Sequence, residues 1–141
     1  MRITINISLK SSLSHAWNCW TDPAHIIQWN FAGEDWHCPA ATNDLREGGE
    51  FHYEMAARDG SMSFDFWGTY KLVAPLQKIE YLIGDGRHVS VTFTDRGDCV
   101  EVTESFEPET IHSHELQQQG WQMILDRFRR HVENSFAQTG I

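Results

Sequence analysis

No stretch of the 141-residue chain approaches the ~20 consecutive apolar residues that a membrane-spanning helix needs. Residues 1–9 alternate polar and apolar side chains and so lack the apolar block of a signal peptide. Cysteine is scarce: Cys19, Cys38 and Cys99 are odd in number and widely spaced, with no CxxC pair. That excludes a zinc ribbon, a redox dithiol and a disulfide framework, and reads as reduced, mostly buried thiols. Positive charge is also short, 11 Lys and Arg against 20 Asp and Glu, for a net −9. Such a balance repels phosphate backbones and anionic lipid, and Arg129-Arg130 is too small a patch to reverse it. Neither nucleic-acid binding nor membrane insertion is expected. The GxSxG elbow, the phosphate loop and the dinucleotide glycine fingerprint are missing too. A soluble, cytoplasmic protein follows as the expectation.

What is abundant is apolar and aromatic. Hydrophobic residues make up 40% of the chain, with six Trp and eight Phe, enough for one packed domain over residues 1–141. The long helical pattern lies at residues 113–136. There Trp121, Ile124, Leu125, Phe128, Val132 and Phe136 share one face at about 100° per residue. Thr110 or Ser113 is the expected cap.

Everything before it is short. Ile3, Ile5, Ile7 and Leu9 alternate as a half-buried strand. Ser11 or Ser12 caps a helix carrying Leu13, Ala16, Trp17 and Trp20, and Asp22-Pro23 opens a second over residues 23–29. Residues 31–39 read as irregular. Further strands follow at Phe51-x-Tyr53-x-Met55, at residues 62–73, at Ile79-x-Tyr81-x-Ile83, at Val89-x-Val91-x-Phe93 and at residues 100–106. Within residues 62–73, Phe64, Phe66, Tyr70 and Leu72 are expected on one face. Hairpin-length turns such as Arg58-Asp59-Gly60 and Gly84-Asp85-Gly86 join these strands, so the sheet is antiparallel and the class is α+β.

In that order, five fragments resemble a known family. They are Trp17 through Thr21-Asp22-Pro23, Asp44-Leu45-Arg46-Glu47-Gly48-Gly49, Asp59-Gly60, Gly68-Thr69-Tyr70 and Gly120-Trp121. Together they resemble the START-like (SRPBCC) helix-grip superfamily and, within it, the family named after the activator of the heat-shock chaperone ATPase. The resemblance implies a curved antiparallel sheet of about six to seven strands around the long C-terminal helix, with a deep hydrophobic cavity between them. Superfamily members use that cavity for lipids, sterols, plant hormones or polyketides, and some catalyse cyclisation or dehydration in it. The co-chaperone that names the family carries an additional N-terminal domain. Here the first strand begins at about Arg2, so a chaperone interaction is not expected.

Glu104 is the candidate for chemistry. By alternation it shares a face with Val100, Val102 and Phe106, where burial would raise its pKa and let it act as acid or base. The alternative is a frayed strand end, with Glu104 reaching solvent or an Arg. Gln117 falls in the apolar sector of the long helix; it orients a ligand's carbonyl or hydroxyl, or else the helix start is wet there or Gln117 bonds a strand carbonyl. Gly120 beside it leaves space for close packing or for a ligand. Trp29, Trp36, Phe51, Tyr53, Phe66, Tyr81, Trp121 and Ile124 complete the candidate cavity lining, against the alternative of plain core.

Eight histidines invite a metal reading, but His112-x-His114 and His37-Cys38 lack companion ligands. His15, His25, His52, His88 and His131 are scattered. Surface histidines are expected, with no metal and no other cofactor. The leading expectation is a non-enzymatic binder of a small hydrophobic or amphipathic molecule. A cyclase or dehydratase using Glu104, helped by Tyr53 or Tyr81, is the alternative, and a chaperone-interacting module is the third. Open sheet edges leave room for a homodimer.

Overall fold

The structure is a computed structural model that describes residues 2–139, with side chains described for residues 2–137. Its elements run β1 (Ile3–Leu9), α1 (Leu13–Thr21), α2 (Pro23–Trp29), β2 (Trp36–Asn43), β3 (Glu50–Ala57), β4 (Ser63–Ala74), β5 (Lys78–Ile83), β6 (His88–Asp95), β7 (Val100–Phe106) and α3 (His114–Thr139). All seven strands form one antiparallel sheet in the order β1-β7-β6-β5-β4-β3-β2. The chain starts at one edge, crosses through α1 and α2 to the other, and returns strand by strand to pair β7 with β1. The sheet curls around α3, whose Leu125, Phe128 and Val132 are fully buried. The α+β helix-grip arrangement expected from the sequence is therefore the one formed. No helix among the described residues is long and apolar enough to cross a membrane.

Local chemistry sets the helix starts. The Ser12 hydroxyl accepts the His15 amide at 3.2 Å, Asp22 accepts that of Ala24 at 3.0 Å, and Ser113 accepts that of Leu116 at 3.1 Å. Alternation is equally direct in β1, β6 and β7, where every second residue is buried.

Two expectations need correcting. Residues 31–39 are not all irregular, because β2 begins at Trp36. A register shift between His37 and Ala40 accommodates Pro39 at the sheet edge, where no ladder donor is required of it. That bulge erases the period-two signal. In β4 a second register shift lies between Tyr70 and Leu72, so Tyr70 pairs with Tyr81 while Leu72 pairs with Glu80. Leu72 thus turns to the convex face and Val73 packs on the core. Trp67 is also convex and stacks on His52 at 5.9 Å.

Candidate functional site

Period-two alternation on a curled sheet aims a set of side chains at the concave side, and the first half of α3 does not fill the space above them. A cavity of about 210 Å³ remains. That is smaller than the ~300–1,000 Å³ of sites for drug-sized ligands and suits a small molecule. Phe51, Tyr53 and Met55 come from β3, and Phe64, Phe66 and Tyr70 from β4. Tyr81 on β5 and Glu104 on β7 complete the sheet side, and Trp121, Ile124 and Leu125 hang from α3. Trp20 and Trp29 close one end, each packed edge-on to Phe128 at ring separations of 4.9 and 4.8 Å. Trp121 lies flat on Phe106, with ring centres 3.9 Å apart and planes 9° from parallel. Phe64 is 52% exposed and Arg87 partly so, which marks where the cavity meets solvent.

The polar groups in this apolar space are few and specific. Glu104 is 6% exposed, and its cross-strand partners are Ile5 and Val91. Among the described residues it makes no hydrogen bond or ion pair. Burial pushes its carboxyl up to about 8, so the protonated form, a donor as well as an acceptor, prevails at neutral pH. Burial also raises the Tyr81 hydroxyl, and the nearby Glu104 carboxyl adds to that. The Tyr53 hydroxyl lies close enough to that of Tyr70 for each to influence the other's titration. Tyr70 in turn donates to Asn43 Oδ1 at 2.6 Å, and Asn43 Nδ2 donates to the Thr21 carbonyl at 2.8 Å. Burial raises Tyr53 and takes Tyr70 to about 12, so both stay protonated. One side of the cavity thus carries a fixed Tyr70–Asn43–Thr21 chain, and Glu104 is the carboxyl left without a partner among the described residues.

Of the residues singled out in the sequence, Trp29, Phe51, Tyr53, Phe66, Tyr81, Glu104, Trp121 and Ile124 line this space. Three do not. Trp36 packs on Phe64 at 5.9 Å, outside the lining. Gln117 is saturated by the loop before α3: its Oε1 accepts the Glu109 amide at 2.8 Å, and its Nε2 donates to the Glu109 and His112 carbonyls. It buries its amide to hold that loop. Gly120 is not part of the lining, and a Cβ built there meets nothing within 4 Å, which excludes close packing as its role. Replacing Gly120 by Ala is therefore expected to raise stability by about 1 kcal/mol, read as a Tm increase of about 3 °C. A fall in Tm would mean that the space above Gly120 is occupied.

Trp20, Asn30, Met55, Phe64, Tyr70, Arg87 and Leu125 also line the cavity, beyond the candidates singled out in the sequence. Met55 was recoverable from the alternation of Phe51 and Tyr53, and Leu125 from the helical stripe. Arg87 gave no signal, since it sits in a turn. The histidines also need correcting. His52, His88 and His112 are surface partners of Asp65 and Glu50, of Glu80 and of Glu109, as expected. His15, His25 and His131 instead are half-buried beside Cys19, near the far end of α3 from the cavity.

Three comparisons bear on this geometry. The family model described as "Activator of Hsp90 ATPase homolog 1-like protein" matches residues 10–133. The solution structure of the AHSA1-like protein from Aeromonas hydrophila is 41% identical, with a TM-score of 0.91, over 96% of this chain and 94% of that one. Chr148 from Cytophaga hutchinsonii is 48% identical, with a TM-score of 0.82, over the same shares. Protein NE0264 from Nitrosomonas europaea shares the fold at 16% identity, with a TM-score of 0.82 over 97% of each chain. No curated protein matches.

Proposed function

The chain belongs to the activator of Hsp90 ATPase homolog 1-like family, and from that membership and its cavity we propose that it binds a small hydrophobic or amphipathic molecule between sheet and α3. The observation that carries this reading is a largely aromatic cavity holding one unpartnered buried carboxyl. Apolar burial would drive binding at about 25 cal/mol per Å² before ordering costs. Glu104, protonated, would donate to a carbonyl or hydroxyl of the guest, with Tyr81 beside it. Three free thiols suit a reducing, cytoplasmic setting.

A second reading is favoured by the same carboxyl. An acid that titrates near neutrality against a bound polyketide-like carbonyl suits general acid–base catalysis, so a cyclase or dehydratase using Glu104 remains the alternative. The family description names a chaperone ATPase activator; stimulation of such an ATPase by this chain would replace both readings.

The test is a thermal-shift screen of lipid and aromatic-polyketide extracts, with native mass spectrometry of the protein as purified. A ligand at a hundred times its Kd should raise Tm by about 9 °C. Ile124→Trp, which fills the space from α3, should fold and lose the response. Unchanged masses and melting curves across the extracts would sink the binding proposal. Turnover of a bound compound would select the enzymatic reading.

A further inference from the structure

At the other end of α3, three helices bring nitrogen and sulfur atoms to one point. Cys19 comes from α1, His25 from α2 and His131 from α3, and one ligand atom from each lies within 4.8 Å of the others. The Cys19 Sγ is 3.7 Å from His25 Nδ1, and His25 Nδ1 is 2.8 Å from His131 Nε2. His15, one turn before Cys19 on α1, places its Nε2 3.5 Å from the same sulfur and 2.8 Å from Ser135 Oγ. Cys19 is fully buried and the three histidines are half-buried. No carboxylate belongs to the group.

We propose that Cys19, His25 and His131 form a binding site for a borderline transition-metal ion of the Zn2+ class, which ties α1 and α2 to α3. Two of the three separations come close to that chemistry, and the third, Cys19 to His131, lies within 4.8 Å. With Zn–S near 2.3 Å and Zn–N near 2.05 Å, tetrahedral coordination puts sulfur and nitrogen about 3.6 Å apart and two nitrogens about 3.3 Å apart. The Cys19–His25 separation already matches. The His25–His131 pair needs to open by about half an ångström, trading one hydrogen bond for two metal bonds. The fourth position is left to water or to a rotated His15.

The donor set selects the ion. One thiolate and two imidazoles suit zinc, copper or cobalt and are poor ligands for magnesium or calcium. Coordination ionises the Cys19 thiol, and one proton leaves to solvent for each ion bound.

The experiment uses the untagged full chain stripped with a chelator. Titration with Zn2+ alone, against a chromophoric competitor, should show one ion per chain and sub-micromolar affinity. Titration with Co2+ alone should give the near-ultraviolet absorption of a thiolate–cobalt bond. Cys19→Ser should abolish that band, and His131→Gln, at a half-exposed position, should weaken Zn2+ by roughly a hundredfold or more. Changing both His112 and His114 to Ala should alter neither. Near-ultraviolet circular dichroism checks that each variant is folded; if Cys19→Ser is not, His131→Gln decides alone. Absence of the cobalt band, or Zn2+ affinity unchanged in His131→Gln, would overturn the site and leave the ion to surface histidines.

Discussion

Replacing Glu104 by Gln should make the protein more stable at alkaline pH, with the advantage growing across the neutral range. The sign follows from which state holds the proton. In the folded protein the carboxyl stays protonated up to about 8, whereas in the unfolded chain it ionises near the ordinary glutamate value of 4.5. Its contribution to stability is therefore complete below about 4.5 and is lost as pH rises through about 8. Each unit between those values removes at most about 1.4 kcal/mol, so the full window amounts to roughly 3–5 kcal/mol. Gln keeps the shape and carries no proton equilibrium. Urea melts of both proteins at pH 5, 6.5 and 8 would read the difference. His15 and His131, whose lowered values give stability the opposite slope, are present in both and cancel. The variant should also lose ligand binding or turnover while remaining folded. A stability difference that is flat with pH would mean that Glu104 reaches water. Unchanged binding and turnover would remove it from the site.

That carboxyl was legible in the sequence because β7 is a clean alternating strand: once Val100, Val102 and Phe106 point inward, so does Glu104. Where alternation held, cavity residues could be read off one by one, as with Phe51, Tyr53 and Tyr81. Where a bulge intervened it could not. Pro39 hid β2, and the register shift after Tyr70 turned Leu72 outward. Gln117 misled for a different reason. It occupies an inward helical position, but the return of residues 109–112 supplies backbone partners that no periodicity anticipates. The Cys19, His25 and His131 group was invisible because His131 lies 106 residues from His25. Only the docking of α3 on α1 and α2 creates it.

The glycines separate a family fragment that the cavity depends on from one that the helix merely tolerates. Gly68, in the Gly68-Thr69-Tyr70 fragment, is the cross-strand partner of Phe51. A Cβ there would lie 2.7 and 2.8 Å from the Phe51 ring and 2.7 Å from the Leu82 carbonyl oxygen. The ring covers the bare backbone, as aromatics do over strand glycines. Phe51 cannot recoil freely, because Tyr53 and Tyr81 hold it at ring separations of 4.7 and 4.9 Å. Its open side is the cavity. Gly68→Ala is therefore expected to cost about 3 kcal/mol, a fall in Tm of about 10 °C, and to push Phe51 into the ligand space. Trimming the ring should relieve the Phe51 part of the clash and leave the Leu82 carbonyl contact, so Gly68→Ala combined with Phe51→Leu should cost less than the sum of the two single changes. Gly120→Ala, where a Cβ meets nothing, is the matched control. If Gly68→Ala melted like the wild type, Phe51 would not be seated on Gly68, and the cavity wall described for β3 and β4 would be wrong.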